Sequence, residues 1–482
     1  MPESGVIVDG VVRYPPTGIK VVIVGAGLGG LQAAVECWRK GHDVQVLEKG
    51  PAISEAGDVV RLGPNSYATL KEYPTMLQEW DKFAYDANMS LRYPDGRFAF
   101  PVAEFEHHLP GVATHAIWPI RAKPMVSRRD VALMFLGQCR RLSIPVTYNV
   151  DIIDYSEDGK GTATAHASDG RKFTGDVVVA ADGIASKAYN ITLGHPVRAV
   201  STGYCADRVM YSTEHVKDAP ALQKALDELE RPQLRMYSAP ELYIVFLLAK
   251  DRLFLGITHE DDGTAVESWS STITTEQIAE AIPDSANWDP EVMEAIRCTP
   301  PNTVVRWKLC CRNPQEKWTS DGGHIIQLGD AAHSFIPSSG SGASMALEDG
   351  ISLPECLRLG GKERIALATR AHQLLRWERT SLQQHNGFAN RRQIHRDMAE
   401  IVKDKRPPML MGKWVWTHNA EKYATERFEE AVIAIETGKP FKNTNIPLGH
   451  KVQPWTIEEE FEKEKSGVFV EDLRVEGDWG LV

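Results

Sequence analysis

Three hydrophobic rhythms follow one another along the chain. Beginning at Ile19, the stretch IKVVIVGAGLGGLQAAVECWRKGHDVQVLEK opens on a short apolar run, Val21–Val24, that reads as a buried strand leading into a glycine turn. Leu31, Ala34, Val35 and Trp38 then recur at helical spacing up to Gly41, and Val44–Leu47 is a second strand ending at Glu48. Together they make one βαβ unit. Asp176–Ala181 (DVVVAA) repeats the buried-strand pattern after a hairpin turning at Asp169-Gly170, and Ile325–Leu328 is a third such strand. Between about 200 and 260 the period drops to two: RVMYS, QLRMYSA, LYIVFLLA and RLFLGITH read as strands of a separate sheet. From 343 to about 404 the pattern is helical, and the remainder is Pro-punctuated, then acidic.

Length and composition narrow the class. At 482 residues the chain exceeds what one core usually serves, so two domains or one large composite unit are expected. With 43% hydrophobic and 25% charged residues it is globular rather than disordered. The net charge of −11 argues against a nucleic acid as the main partner, because phosphate binding wants a basic surface. The seven cysteines are scattered and form no C-x-x-C, which indicates neither a disulfide framework nor a zinc site, and fits a reducing compartment. His107 and His108 are adjacent and point different ways, and no H-E-x-x-H occurs, so no metal is expected. No apolar run approaches the ~20 residues of a membrane span. The first residues lack the apolar region of a secretory signal, and Gly480-Leu481-Val482 is no peroxisomal address. The expectation is a cytoplasmic protein with no integral membrane segment.

The chemistry begins at Gly25-Ala26-Gly27-Leu28-Gly29-Gly30, which fits G-x-G-x-x-G. Gly25 permits the tight turn, Gly27 lets a pyrophosphate approach the backbone, and Gly30 lets the helix pack on the strand. The helix start offers free N–H groups to phosphates. Glu48 can accept hydrogen bonds from the adenosine ribose. The plain alternative is a glycine-rich turn with a surface glutamate.

Two further motifs separate the dinucleotides. Ala181-Asp182-Gly183-Ile184-Ala185-Ser186 follows a buried strand, and GDAAHSFIPSSGSGASMALEDG runs from Gly329 to Gly350. With the glycine turn, these resemble the class A flavoprotein aromatic hydroxylases around para-hydroxybenzoate hydroxylase and salicylate hydroxylase. Three motifs stand in family order, and Gly329, Asp330, Pro337, Gly340, Gly342, Glu348 and Asp349 occupy family positions. The resemblance runs from about residue 19 to 400, with the tone of the fungal secondary-metabolism branch. It implies an α/β fold: a Rossmann-type FAD-binding domain, a middle antiparallel-sheet substrate domain and a helical C-terminal part. Residues 1–18 would be a flexible lead, 19–190 and 321–404 the two parts of the FAD-binding domain, 191–320 the substrate sheet, and 405–482 a C-terminal extension.

The resemblance also implies noncovalent FAD, NADPH or NADH as co-substrate, O2, and a small aromatic substrate of phenol or indole type. That substrate would be hydroxylated or epoxidised through a flavin C4a-hydroperoxide, in natural-product biosynthesis. Asp330 would hydrogen-bond the sugar-alcohol chain of the flavin, or cap the following turn, or both. Gly340, Gly342 and Ala343 would turn amides toward the pyrimidine edge of the flavin, where a helix start favours negative charge. Glu55–Arg61 resembles the loop beside the flavin, which brings in Arg61, and Arg128 takes the position that reaches FAD unless it is a solvated helix-start arginine. Asp182 carries the second motif. Arg208, in the run from Thr202, would stabilise charge on the leaving oxygen or bind a phenolate; the alternative is a strand arginine paired with an acid. Lys187 stands near where the family has an arginine, and Ser341 replaces a glutamine. A flavin-dependent halogenase, a reductase and a non-catalytic FAD-binding protein remain as alternatives. Trp414-Val415-Trp416 superficially resembles a halogenase motif but lacks its Ile-Pro, and reads as packing.

Overall fold

The two periodicities sort the strands into two sheets. The structure, a computed structural model, describes residues 6–53, 58–268, 271–403, 411–466 and 473–480. Five parallel strands stand in the order Ile325–Gln327, Val177–Ala180, Lys20–Val24, Asp43–Leu47 and Val146–Thr147. They read as unbroken apolar runs because both faces are covered. Val21, Ile23, Val177 and Val179 pack under the helices, chiefly Leu28–Arg39, Arg128–Arg141 and Gly342–Gly360. Val22, Val24, Val178 and Ala180 pack against a three-stranded antiparallel sheet, Ile152–Glu157, Ala163–Ala167 and Lys172–Gly175. The last two strands of that sheet form the hairpin expected at Asp169-Gly170, where Gly170 has φ 87°.

The second sheet has seven strands in the order Thr272–Ile273, Val304–Cys311, Val200–Ser212, Arg252–Glu260, Leu242–Leu248, Gln233–Ala239 and Asn88–Arg92. All pairings are antiparallel except the last, which is parallel. Its outer face carries Val209, Tyr211, Leu253, Leu255 and Ile257 into a core with the helices Pro220–Asp227, Thr275–Glu280 and Pro290–Arg297. Its inner face is turned toward the parallel sheet's glycine turn. Asn88–Arg92 comes from the stretch expected to serve the FAD-binding domain. Its sequence, NMSLR, alternates too weakly to announce an edge strand.

Two other expectations are corrected. Residues 6–18 are no flexible lead: Val6–Val8 and Val11–Arg13 form a hairpin, Val11 is fully buried, and Arg13 donates to the carbonyls of Trp38 and His42. Residues 1–5 lie outside the described residues. The helical stretch after 343 divides into Gly342–Gly360, Ile365–Ile394 and Met398–Lys403. The first break falls at Gly361, whose φ of 62° ends the helix. Within the C-terminal extension, Ala420–Thr437 buries Ala424, Phe428, Ala431 and Val432 in the core of the parallel sheet. Among the described residues no helix is long and apolar enough to cross a membrane.

Candidate functional site

A cavity of about 500 Å³ lies where the glycine turn of the parallel sheet meets the inner face of the seven-stranded sheet. The three motif glycines are bare for different reasons, and of them Gly27 and Gly30 line the cavity. A Cβ on Gly25, at φ 107°, would lie 2.2 Å from the Ala181 carbonyl oxygen, and one on Gly30 would lie 2.1 Å from the Gly25 carbonyl oxygen. A Cβ on Gly27 would meet nothing within 4 Å, yet Gly27 lines the cavity. Its bareness therefore serves whatever enters. The helix that begins there has no side-chain cap, so its first amides are open to an anion. Glu48 accepts from the amides of Ala26 at 2.8 Å and Gly50 at 2.7 Å, which holds the turn in shape. Each carboxylate oxygen keeps a lone pair for a ribose hydroxyl. This cradle fits a dinucleotide pyrophosphate.

A second helix start faces the same cavity. Gly340 takes φ 57°, Ser341 provides no side-chain cap, and the helix Gly342–Gly360 opens with Gly342 and Ala343 in the wall. Ser341 Oγ is instead bound to Ser339 O at 3.0 Å and Gln383 Oε1 at 3.1 Å, so the residue that replaces the family glutamine braces the turn. Asp330 opens into the cavity. Desolvation there pushes its carboxyl up, against the charges of His333 and Arg312. The turn beneath it is pinned by Asp349, which takes the Gly329 amide at 3.2 Å and His333 Nε2 at 2.5 Å. His333 is thus a bracing residue of the motif rather than a base in the cavity.

Asp182 differs from the sequence reading. It does not line the cavity; Ala181, Gly183 and Ile184 do. Its Oδ2 accepts from Tyr155 Oη at 2.7 Å and the Lys187 amide at 3.3 Å, which shapes the wall from behind.

Three arginines supply the charge. Arg208 lines the cavity and its Nη1 lies 2.7 Å from Asp58 Oδ2, so it is a strand arginine paired with an acid and also faces inward. Its direction is locked from the other face of the strand. There Asp207 binds Arg306 through two bonds of 2.7 Å and His259 Nε2 at 3.1 Å. A one-residue slip would tear out that buried pair. With Cys205, Asp207 and His259 make the one trio among the described residues with metal-ligand spacing, but the Arg306 guanidinium already occupies Asp207. Arg128 follows Ser127, which caps the helix Arg128–Arg141 by accepting from the Asp130 amide. The guanidinium lines the cavity; burial lowers its pKa, Asp58 opposes that and Arg208 adds to it. Arg61 ends the strand Val59–Arg61 and packs 5.1 Å over the Phe105 ring. Of the loop expected beside the flavin, residues 54–57 lie outside the described residues.

The remaining wall was not singled out from the sequence. Met236, Tyr243, Val245, Phe254, Thr258 and Trp307 all project from the inner face of the seven-stranded sheet. Tyr243 pairs with Thr258, which pairs with Ala206, which pairs with Trp307; in the next row Val245, Gly256 and Arg208 follow. The period of two contained that signal, but not which parity looks inward. Trp414 and Trp416 are packing residues: Trp416 is buried, and Trp414 stacks edge-on against Trp479 beneath Arg379.

Comparison with known proteins agrees with this geometry. A model of the NAD(P)-binding Rossmann-like domain matches residues 23–83. The chain is 37% identical to the FAD-dependent monooxygenase fsr3 of Gibberella fujikuroi, over 97% of this chain and 91% of that one. It is 36% identical to the FAD-dependent monooxygenase mdpD of Emericella nidulans, with the same coverage. Among solved structures, FqzB superposes with a TM-score of 0.79 at 26% identity, covering 92% of this chain and 99% of that chain. CtdE in complex with FAD and its substrate gives 0.78 at 25% identity, covering 87% and 100%.

Proposed function

The chain belongs to the class A FAD-dependent monooxygenases, and from that footing we propose that it hydroxylates or epoxidises an electron-rich aromatic ring of phenol or indole type in natural-product biosynthesis. It is an oxidoreductase that uses FAD and NAD(P)H. The observation that carries the finer reading is the single cavity that joins a bare-glycine phosphate cradle to an apolar sheet face bearing an inward arginine.

Bound FAD supplies a hydride acceptor and activation of O2 at its C4a position. The chain's own residues bind, orient and exclude water. The Gly25–Gly30 turn and its helix start would hold the pyrophosphate, Glu48 the adenosine ribose, and Arg128 a phosphate oxygen. Asp330 would bind the sugar-alcohol chain, and the amides at Gly340, Gly342 and Ala343 the pyrimidine edge. Met236, Phe254 and Trp307 would seat the aromatic ring and keep water out. Arg208 would hold a phenolate oxygen or stabilise charge that develops on the departing oxygen.

The test is purified, yellow protein screened with phenols and indoles for stimulated NADPH oxidation, with product mass. A ligand-stimulated rate with a product gaining one oxygen is the expected result. Bound FAD with no stimulation by any aromatic would point to a non-catalytic flavoprotein, and a halide-dependent product to a halogenase. Either would overturn this reading.

A further inference from the structure

The turn that carries Asp330 is gripped from behind by two residues outside the three motifs. The Ala331 carbonyl oxygen accepts from Tyr189 Oη at 2.6 Å and from Gln327 Nε2 at 2.9 Å. Tyr189 stands three residues past Ser186 and opens the short helix Tyr189–Leu193. Having donated to Ala331, its hydroxyl accepts from Arg312 Nη1 at 2.9 Å. The Arg312 guanidinium lies 4.4 Å from the centroid of the same ring. The backbone amide of Arg312 donates to Ser334 Oγ at 2.8 Å. Arg312 therefore holds the G-D turn at two points, at Ala331 through Tyr189 and at Ser334 directly. Asp330 and Ser334 line the cavity, while Arg312 and Tyr189 stand behind its wall.

The same pair brings charge to the turn. Arg312 is buried, and the side chain it binds offers a hydroxyl rather than a carboxylate. Burial pushes the Tyr189 hydroxyl up to about 12, with Arg312 pulling the other way and Asp182 and Asp330 adding to the rise. The hydroxyl therefore keeps its proton and leaves the guanidinium charge uncancelled. Two cations face Asp330, His333 and Arg312. His333 Nε2 lies 2.5 Å from Asp349 Oδ2, so a proton on His333 is answered by that carboxylate, which Arg376 also holds. The charge of Arg312 remains for Asp330. Desolvation pushes the Asp330 carboxyl up, and a sugar-alcohol chain against it would strip more water away. A facing cation offsets that burial and keeps the group an acceptor on both oxygens.

We propose that Arg312 is a positioning residue for the flavin, which acts on Asp330 by fixing its turn through Tyr189 and by supplying its countercharge. This rests on the reading of Asp330 as the residue that binds the sugar-alcohol chain, and the experiment separates the two.

FAD dissociation constants are measured by flavin fluorescence on apoprotein of wild type, Arg312→Gln, Arg312→Lys, Tyr189→Phe and Asp330→Asn, and of the double variants that join Arg312→Gln or Tyr189→Phe to Asp330→Asn. Each is titrated from neutral pH down to about 5.5, with a melt of each apoprotein alongside. At neutral pH Asp330→Asn should weaken binding roughly tenfold, as loss of a charge-assisted hydrogen bond requires. Arg312→Gln should weaken it about fivefold or more, with Arg312→Lys and Tyr189→Phe between it and wild type. Added to Asp330→Asn, Arg312→Gln should change affinity by less than about twofold, because its route to the flavin is already gone. As the pH falls, affinity should begin to drop at a higher pH in Arg312→Gln than in wild type, since the cation that opposes protonation of Asp330 has been removed. A merely structural arginine would weaken binding equally with and without Asp330, and that result overturns the proposal. Wild-type affinity in folded Arg312→Gln overturns it as well. If Arg312→Gln does not fold, Tyr189→Phe and its double variant repeat the comparison, and wild-type affinity in folded Tyr189→Phe overturns the clamp. Wild-type affinity in Asp330→Asn overturns the reading of Asp330, and the proposal with it.

Discussion

Gly25, Gly27 and Gly30 share one motif but not one reason, and substitution separates them. Gly27 has φ −71°, which any residue adopts, and its Cβ would enter open cavity. Gly27→Val should fold with near-normal stability and purify colourless, because the side chain fills the pyrophosphate's place. Gly25→Ala should instead lose fold and flavin together, since its Cβ strikes backbone at 2.2 Å. Flavin content and thermal melts of the two variants check this; a yellow Gly27→Val protein would show the cradle misassigned. Arg208 is the other residue whose surroundings specify a result. Arg208→Ala should retain FAD and hydride uptake but lose product, with reducing equivalents appearing as hydrogen peroxide. Arg208→Lys should recover part of the coupling, since a point charge replaces a planar fork. Peroxide yield per NADPH consumed measures both, and full product yield from Arg208→Ala would remove the residue from the mechanism. The substitution also strands Asp58 in the wall, so a melt must accompany the assay.

The helix that opens in the cavity wall at Gly342 is held by charges on a second helix behind it. Glu348 and Asp349, on Gly342–Gly360, face Arg376 and Arg379, on Ile365–Ile394, with all four side chains essentially buried. Burial alone would raise the Glu348 carboxyl, but Arg379 and Arg376 hold it well below the usual carboxylate range. Arg379 also reaches the carbonyls of Trp414, Val415 and Asn445, and Asn65 donates to Glu348 at 2.7 Å. One network thus ties the cavity-facing helix to the C-terminal extension and to the chain around Asn65. Glu348→Ala leaves two buried guanidinium groups without their shared partner, and should cost about 3–5 kcal/mol in the denaturant-induced unfolding of the apoprotein. A change below about 1 kcal/mol would mean the network is not what holds these helices together.

Across the whole molecule, buried titratable groups set the response to acid. His42 is buried between Thr17 and the Pro354 carbonyl, and burial lowers its pKa to about 4; burial also lowers that of His372, to about 3. The folded values lie below the unfolded 6.5, so the unfolded chain takes up protons first. The stability these groups contribute is present above pH 6.5 and is lost as the pH falls toward 4 and then 3. Burial would raise Glu355 and Glu460. Arg358 and Lys40 for the first, and His385, Lys463 and Arg392 for the second, outweigh it and hold each at about 2. Their contribution is present above pH 4.5 and is lost as the pH falls toward 2. Melting temperature should therefore decline in two stages, the first beginning below pH 6.5. His42→Gln should flatten the first stage, and a melting temperature constant from neutral pH to 4.5 in the wild type would contradict the assignment.

The sequence by itself determined the parts whose physics is local. Steric necessity wrote Gly25 and Gly30, continuous apolar runs announced the parallel strands, and alternation announced the seven-stranded sheet. Gln233–Ala239 coincides with its sequence pattern, with Leu234 and Met236 on the inner face and Tyr237 and Ala239 in the core on the outer one. What only the tertiary structure decided is what distant segments do to one another. Arg208 looks inward because Asp207 is bound to Arg306, a hundred residues on in another strand. Asp182 was legible as a motif, but its place behind the wall depends on Tyr155 from a separate sheet. Arg61 looked like one more arginine of a loop until the Phe105 ring, 44 residues on, stood 5.1 Å from its guanidinium. Direction and partnership across long loops are settled by packing, and a single chain read in order does not contain them.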